Sequence, residues 1–577
     1  MSQPSQPLLR HAALAAALVL LPLTARAQLP PPPEPPGNPV TAAKVNLGKV
    51  LFWDEQISST RTVSCGTCHL PEVGGEDPRS GVDPLAVNPG PDGVFETLPC
   101  APADPVCDDV FGSPGVPLSG ADGLYDWSTH FGLLPQVTRR KTVSSINAGY
   151  SDTLFWDGRA PEVFVDPVTM NVVLPSGAAL ESQAVGPPTS DVEMGHVDRV
   201  WTDVLARIDA SVPLALSPEV PADLLAWIGG RSYAQLFAEA FPSEGITAPN
   251  VAMAIASYER TQFTNQSPFD DFIGGDNDAM TAQEIAGRGV FTGAGLCDNC
   301  HQNALMSDNT FRYTGVRPQD EDQGRMEVTG DPLDEGQMRV PSLRNLELRA
   351  PYMHNGRFAT IEEVIEFYDR GGDFTGSNLD PSIQALELTQ QQKDDLLAFL
   401  TRPLTDPRLA AGEFPFDRPT LYTESSRVPV IEGAGLPGSG GLVPEVVALE
   451  PPLVGNPSFT VGVWNGLGGA DAWLLIDDQD PGLTRPGTAD FHIEMISLDG
   501  AGEGDGFGSV SIPIPNDPAL AGKEWFGRWY VIDTGGGSDE AVSKVFRFKT
   551  FEIQQQTAIF ADGFESGDTS AWSATVP

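Results

Sequence analysis

The pattern of apolar and polar positions divides the chain into a long helical part and a shorter part built from strands. From about residue 40 to residue 408, apolar residues recur at helical spacing between long connections rich in Gly, Pro and Asp. Two capping boxes, each a Thr followed three residues later by Glu or Gln, predict helices that begin after Thr360 and Thr389. A third helix is predicted over residues 251–260. The apolar face of the helix after Thr360 consists of Ile361, Val364, Ile365 and Tyr368.

Strand periodicity replaces helical periodicity after about residue 427. Residues 433–441 are rich in Gly, Pro and Ser, and short apolar runs separated by turn residues follow them. Several of these runs are rich in β-branched or aromatic residues, and their spacing predicts an antiparallel sandwich of six or seven strands. The runs are 459–464, 472–476, 491–496, 510–514, 525–532 and 545–553.

The N-terminus has the features of a secretory signal peptide. Arg10 precedes an apolar run over residues 12–23, and Ala25-Arg26-Ala27 is a small-x-small cleavage site. Residues 30–36 are nearly all proline and predict a stiff, extended spacer. No later segment approaches the roughly 18 apolar residues that a membrane-spanning helix needs. We therefore expect a periplasmic or extracellular protein without a membrane span.

Acidic residues dominate the charge of the chain. Without residues 1–27, 32 basic residues stand against 78 acidic ones, which gives a net charge near −46. A charge of this sign repels nucleic acid and anionic membranes, while it favours basic partners and solubility. A solvated acidic surface without a dedicated partner explains the same composition.

Four of the six cysteines belong to two Cys-x-x-Cys-His motifs, Cys65/Cys68/His69 and Cys297/Cys300/His301. A c-type haem needs two thiols that bond its vinyl groups and a histidine that binds the iron, and this motif supplies all three. A thioredoxin-like pair does not require the histidine, and zinc would need further ligands at finger-like spacing. Two covalently bound haem c groups are therefore expected, with both histidines as iron ligands.

The remaining cysteines, Cys100 and Cys107, lie in a loop rich in Pro, Gly and Asp and are expected to form a local disulfide. With the motifs placed, the chain divides into seven predicted segments. They are a signal peptide (1–27), a Pro-rich spacer (28–39), an N-terminal haem c domain (40–282), a C-terminal haem c domain (283–412), a linker (413–441), a β-sandwich (442–556) and a mobile tail (557–577).

Further motifs surround the two haem motifs in a fixed order. They are Leu47–Asp54, Ser64–His69, Asn147–Arg159, Glu181–Ala184 with Glu193-Met194, Ala254–Thr261, Val340–Asn345 and Pro351–Gly356. Over roughly residues 40–405 this series resembles the bacterial dihaem cytochrome c peroxidase and MauG family. The resemblance implies a mainly α fold with two cytochrome c-type domains, followed here by the all-β domain, and an oxidoreductase that uses hydrogen peroxide.

The resemblance assigns roles to residues near the first haem motif. Glu193 matches the catalytic glutamate of the family, and Gln183 matches its partner glutamine. A carboxylate over an open iron site can take the proton from one peroxide oxygen and deliver it to the departing one. Trp156 matches the tryptophan that lies between the two haems and relays electrons. Without the resemblance, Glu193 is an ordinary surface acid and Trp156 an ordinary core residue.

Tyr368 and His130 are candidates for further iron ligands. Peroxidases of the family have a methionine at the position of Tyr368, whereas MauG-like members resemble this chain in having a tyrosine there. A phenolate ligand stabilises ferric iron, as a thioether does not; the alternative is a tyrosine packed on the apolar face of its helix. His130 lies in the region of a histidine that caps the first haem in some resting peroxidases, within a loop (residues 78–135) of unusual length.

The family also has a calcium ion between its haem domains. The position of its asparagine ligand is Lys141 in this chain, and an ammonium group cannot coordinate calcium. The carbonyl groups of Arg349 and Pro351 remain available as ligands, so the sequence leaves calcium open.

Peroxide-dependent oxidation is the favoured prediction of function. The peroxide would react at the first haem, and a small redox protein would supply electrons if the chain is a cytochrome c peroxidase. A MauG-like enzyme would instead oxidise residues of a partner protein. A non-catalytic dihaem electron-transfer protein, in which both irons have six ligands, is the alternative. The β domain could be a binding or surface-attachment module.

Overall fold

The structure is a computed structural model that describes residues 29–96, 104, 106–243 and 245–553. The predicted signal peptide, Cys100 and the predicted tail lie outside these ranges. Cys107 is disulfide-bonded, and the four cysteines of the two haem motifs are free. Within the described ranges, none of the helices combines the length and the apolar character that crossing a membrane requires.

Thirteen α-helices occur among the described residues, all before residue 412. They are α1 (Ala42–Trp53), α2 (Cys65–Cys68), α3 (Ala179–Ala184), α4 (Trp201–Ala210), α5 (Ala222–Ile228), α6 (Tyr233–Ala240), α7 (Ala248–Glu259), α8 (Pro268–Ile273), α9 (Ala282–Phe291), α10 (Met326–Thr329), α11 (Ile361–Asp369), α12 (Gln390–Leu400) and α13 (Pro407–Ala411).

The three helices predicted from the sequence are confirmed. Thr360 and Thr389 each accept a hydrogen bond from the backbone N–H three residues later, and these two capping boxes begin α11 and α12. Ile361 and Ile365 of α11 are buried, as the apolar face predicts, and Phe367 is fully buried beside them. The third helix, α7, begins three residues earlier than predicted, after the cap Thr247.

The two halves of the helical part repeat one packing arrangement. In the first half α1 packs against α7, and a Cβ atom on Gly48 would lie 1.9 Å from the carbonyl oxygen of Ala254. In the second half α9 packs against α12, and a Cβ atom on Gly287 would lie 1.8 Å from the carbonyl oxygen of Asp395. Because a side chain at either glycine would clash with backbone, both crossings need glycine.

Short antiparallel strand pairs connect the helices. They are β1 (Val87–Asn88) with β2 (Val110–Phe111), β3 (Pro114–Pro117) with β4 (Pro135–Val137), β5 (Thr153–Leu154) with β6 (Ala160–Pro161), β7 (Phe164–Val165) with β8 (Val172–Leu174), and β9 (Phe311–Arg312) with β10 (Met338–Arg339).

The C-terminal part consists of two antiparallel sheets with a shared core. A six-stranded sheet has the order β11-β19-β17-β14-β15, with β18 also paired to β17, and a three-stranded sheet has the order β12-β13-β16. Val461 of the smaller sheet and Trp529 of the larger one are both fully buried in the common core. The strands are β11 (Val430–Glu432), β12 (Glu445–Ala448), β13 (Phe459–Leu467), β14 (Asp471–Asp477), β15 (His492–Ser497), β16 (Glu503–Ile512), β17 (Glu524–Ile532), β18 (Glu540–Val542) and β19 (Val545–Lys549).

All six predicted strands occur, and three more accompany them. One of the three, β11, lies inside the predicted linker and forms an edge of the larger sheet, so residues 413–441 are partly sheet. The predicted Pro-rich spacer also packs on the helical part, since the carbonyl oxygens of Pro30 and Pro33 accept hydrogen bonds from Tyr150 and Arg260.

A loop of the N-terminal part attaches the β-sheets to the helices. The backbone N–H of Tyr125 donates to Ser509 at 2.9 Å, and its hydroxyl donates to Glu450 at 3.3 Å. The ring of Trp127 lies 4.9 Å from that of Phe507. This loop follows β3, and β3 packs beside the first candidate site.

Candidate haem sites

Each Cys-x-x-Cys-His motif lines a separate cavity. The first cavity, of about 170 Å³, contains Cys65 and Cys68 of α2 together with His69. Gly66 lies directly against the buried ring of Trp53, where a Cβ atom would be 2.2 Å from a ring carbon. The second cavity, of about 200 Å³, contains the other motif: Cys297, Cys300 and His301.

The ring orientation of both histidines is compatible with binding iron through Nε2. The Nδ1 atom of His69 is 3.0 Å from the carbonyl oxygen of Gly75, and that of His301 is 3.1 Å from the carbonyl oxygen of Met306. An Nδ1–H that donates to a carbonyl leaves the lone pair of Nε2 available for a metal. Desolvation lowers the pKa of both rings, that of His301 to about 4, which favours the neutral form that binds iron. With two free thiols beside each histidine, both cavities fit a haem.

Gln183 and Glu193 line the first cavity together with His69. Gln183 is on α3, and Glu193 is on the segment that follows it and is half-buried. Desolvation raises the pKa of Glu193, while the charge of Arg159 and a hydrogen bond from Ser190 oppose this rise. Such a carboxyl group is suited to exchanging a proton with a bound substrate.

The segment that contains Glu193 packs tightly on β3. The backbone N–H of Val116 donates to the carbonyl oxygen of Val192 at 3.1 Å. A Cβ atom on Gly115 would lie 1.9 Å from that same oxygen and 2.7 Å from the Cα atom of Glu193. Because β3 continues into the loop that contacts the β-sheets, the segment that contains Glu193 is connected through β3 to both parts of the chain.

Tyr368 lines the second cavity and is half-buried. It is on α11, with its ring 4.9 Å from that of Phe367. Desolvation raises the pKa of its hydroxyl well above the ordinary value, and the thiols of Cys300 and Cys297 add to this effect while a hydrogen bond to Thr314 opposes it. The remaining lining of the cavity is largely apolar and includes Phe291, Val316, Val364, Ile365, Leu396 and Leu400.

Trp156 lines both cavities. Its indole N–H donates to the carbonyl oxygen of Lys141 at 2.8 Å, and its ring lies 6.2 Å from that of His354. Its own carbonyl oxygen accepts a hydrogen bond from the backbone N–H of Arg339 at 2.7 Å. The position of the ring between the two cavities is therefore fixed from both sides.

His130 is exposed and lies outside the lining of both cavities. Its ring is 6.3 Å from that of Phe131, and a Cβ atom on Gly93 would lie 2.8 Å from it. Another residue of the same loop, Trp127, contacts the β-sheets, with its ring 4.9 Å from that of Phe507.

The residues around Lys141 do not fit the calcium ion that the sequence left open. The ammonium group of Lys141 donates to the carboxylate of Glu76 and, at 3.3 Å, to the carbonyl oxygen of Arg349. The guanidinium of Arg349 lies 3.6 Å from the same carboxylate. Two cationic groups thus surround the oxygens that calcium would need.

Arg159 is a residue of the first site whose position the sequence did not reveal. Its guanidinium stacks 3.6 Å from the centre of the Phe155 ring and forms an ion pair with Asp157 at 3.0 Å. It lines the cavity with Glu193 and stabilises the carboxylate form of that residue. The sequence feature that could have identified Arg159 as a site residue is its position at the end of the Phe155–Arg159 motif.

Comparison with known proteins agrees with a protein that binds two haems. Residues 42–278 match the sequence model of the di-haem cytochrome c peroxidases. This part of the chain is therefore similar in sequence to the di-haem cytochrome c peroxidases.

Individual relatives match longer parts of the chain. A cytochrome-c peroxidase, IdrP1 of Pseudomonas sp. strain SCT, is 28% identical over 436 residues, 70% of this chain and 90% of its own. The methylamine utilization protein MauG of Methylorubrum extorquens is 28% identical over 377 residues, 65% of this chain and 82% of its own. A solved MauG-like protein associated with microbial copper homeostasis is 27% identical, with a TM-score of 0.48, over 68% of this chain and 96% of its own.

Proposed function

We propose that this chain is an exported dihaem c-type oxidoreductase that uses hydrogen peroxide as its oxidant. Each Cys-x-x-Cys-His motif would bind one haem covalently, in an N-terminal domain (40–282) and a C-terminal domain (283–412). The family and the names of the relatives, which include peroxidases and MauG, support this class of activity. When bound, the haems supply the redox chemistry, and the protein controls access, orientation and proton delivery.

One observation supports a division of labour between the cavities. Glu193 and Gln183 line the cavity of His69, whereas Tyr368 lines that of His301. Glu193 would take a proton from one oxygen of the peroxide and return it to the departing oxygen, which leaves as water. Gln183 would orient the peroxide through its amide group. Tyr368, on α11, would supply an oxygen donor to the group that His301 holds and would exclude peroxide from the second cavity.

Trp156 would connect the two sites electronically. Its ring is the aromatic group shared by both cavity linings, and hydrogen bonds on two sides fix it. Oxidising equivalents generated beside His69 would therefore be shared with the second site.

Tyr368 favours a MauG-like reaction, in which a partner protein is oxidised, over turnover with a small electron donor. The hydroxyl oxygen of Tyr368 would stabilise the oxidised state of an iron held by His301, whereas a thioether would not. Whether the partner is a protein substrate or a small redox protein, it would bind to the acidic surface of this chain in the periplasm or outside the cell.

Peroxide turnover by the haem-loaded full chain tests this proposal. The protein is mixed with hydrogen peroxide and a reduced small c-type cytochrome, and both reactants are followed optically. Consumption of peroxide is expected, with two cytochromes oxidised for each peroxide if the donor is accepted. Peroxide consumption that leaves the cytochrome reduced supports the MauG-like form. A chain that exchanges electrons with the cytochrome and leaves peroxide unconsumed contradicts the proposal and supports the electron-transfer alternative.

A further inference from the structure

Lys141 is a buried residue at the junction between the two cavities, and its side chain is 3% exposed. Its ammonium group donates to the carboxylate of Glu76 and, at 3.3 Å, to the carbonyl oxygen of Arg349. Its backbone N–H donates to the carbonyl oxygen of His354 at 2.7 Å, and its carbonyl oxygen accepts the indole N–H of Trp156 at 2.8 Å. Lys141 therefore joins three segments of the helical part.

The contact with Glu76 leads to the iron ligand of the first cavity. Glu76 directly follows Gly75, whose carbonyl oxygen lies 3.0 Å from the Nδ1 atom of His69. The backbone N–H of Ser145, four residues after Lys141, donates to that same carbonyl oxygen at 3.0 Å. The segment that orients His69 is thus bound to the segment of Lys141 through an ion pair and a backbone hydrogen bond.

The other contacts lead to the second cavity and to the ring between the cavities. Lys141 lines the first cavity, His354 lines the second, and Trp156 lines both. The carbonyl oxygen of Lys141 is the acceptor for the indole N–H of Trp156. A displacement of Lys141 would therefore displace the ring of Trp156.

The charges of the junction are balanced by groups of the chain itself. A buried ammonium group without a partner is strongly destabilising, and Lys141 has the carboxylate of Glu76 as its partner. Burial and the charge of Arg349 lower the pKa of Lys141 to about 7, whereas direct contact with the Glu76 carboxylate favours the ammonium form. The guanidinium of Arg349 lies 3.6 Å from the same carboxylate. A metal ion at this place would be repelled by both cationic groups.

We propose that the ammonium group of Lys141 is the cation of this junction and positions Trp156 between the two cavities without a bound metal ion. Lys141 thereby takes the place of the calcium ion that the resemblance implies between the haem domains. It is a positioning residue, because it acts through Trp156 and the segment of His69. The inference rests on the proposed function in that a haem occupies each cavity and Trp156 connects the two.

Pulse reduction of the fully ferric, haem-loaded full chain by one electron tests this role. The electron passes from one haem to the other, the redistribution is followed optically, and no peroxide is added. In the unaltered protein this phase should be independent of protein concentration and unchanged by EDTA or by calcium chloride. Lys141→Met removes the charge but keeps an unbranched side chain, and it should slow the phase by about tenfold, since it interrupts the physical network between the sites. Glu76→Gln, which keeps the size of the side chain, should slow it as well.

Lys49→Met is the matched control, because Lys49 is also buried and pairs with a carboxylate, that of Asp417 at 2.6 Å, outside the lining of both cavities. It should keep the rate of the unaltered protein.

The proposal is overturned if Lys141→Met and Glu76→Gln both transfer the electron as fast as the unaltered protein. It is also overturned if EDTA slows the unaltered protein and calcium chloride restores the rate, a comparison that needs no variant to fold. Because peroxide is absent from the measurement, a failure here is distinguishable from a failure of peroxide turnover.

Discussion

Replacing Glu193 by glutamine should reduce peroxide turnover far more than a substitution at a neighbouring position. Gln has the size of Glu and fits the same half-buried position, but it cannot take and return a proton. Positioned acid–base groups contribute about 10²- to 10⁴-fold to rate, so kcat/KM for peroxide should fall by that factor. At 1.36 kcal/mol for each tenfold step, the loss is about 2.7 to 5.4 kcal/mol of transition-state stabilisation.

The pH profile gives a second signature of Glu193. Desolvation raises its pKa, and the reaction requires the carboxylate form to take the first proton. Activity should therefore fall as the pH falls through a value above the ordinary range of a glutamate. Glu193→Gln should lack this acidic limb.

Stopped-flow measurement of peroxide reaction by the haem-loaded protein provides both quantities. Asp191→Asn is the control, since it removes one negative charge from an exposed position two residues away and should leave the rate unchanged. If Glu193→Gln reacts with peroxide within threefold of the unaltered protein at every pH, the proton-transfer role of Glu193 is wrong.

Two further predictions concern stability and are measured by urea unfolding of the haem-loaded protein. Arg344→Met should lower the free energy of unfolding by about 3 to 5 kcal/mol, because it removes the cationic partner of the fully buried Asp270 carboxylate. Arg344 contacts the two oxygens of this carboxylate at 2.6 and 2.9 Å. Combining it with Asp270→Asn should recover part of the loss, and a loss under 1 kcal/mol for Arg344→Met alone would contradict the reasoning. Asp322→Asn should lower the free energy of unfolding by about 2 kcal/mol at pH 7. Although desolvation raises the pKa of Asp322, hydrogen bonds and the charge of Arg140 outweigh it and hold this pKa at about 2, against 3.8 in the unfolded chain. Because the folded-state pKa is the lower one, this contribution is complete above pH 4 and should disappear as the pH falls through 2; a difference that persists at pH 2 has another cause.

Local sequence patterns predicted the elements that are specified by residues close together in the sequence. The capping boxes at Thr360 and Thr389 specify helix starts by themselves, because both hydrogen-bonding partners lie within four residues. Strands such as β13 and β17 are long enough for their apolar runs to be recognised. By contrast, all three residues of β11 are exposed, and its pairing with β19 spans more than 110 residues of sequence. A three-residue exposed edge strand has no periodicity to detect.

In the candidate sites, too, the sequence predicted the local features and not those that depend on tertiary contacts. The Cys-x-x-Cys-His motifs carry their chemistry within five residues and indicate haem without further context. Gln183 and Glu193 are more than 110 residues from His69, and only the resemblance to a family linked them to that cavity before the structure did. The orientation of His130 depends on packing between a long loop and the β-sheets, which is a tertiary contact that local patterns do not encode.

Electron paramagnetic resonance of the ferric, haem-loaded protein tests the division of labour between the two cavities most directly. The unaltered protein should show one high-spin signal, from the site with Glu193, and one low-spin signal, from the site with Tyr368. Tyr368→Phe should abolish the low-spin signal alone. Tyr150→Phe, which removes the same atom from a tyrosine outside both cavities, should retain both signals. Two low-spin signals in the unaltered protein, or a low-spin signal that survives in Tyr368→Phe, would contradict the account.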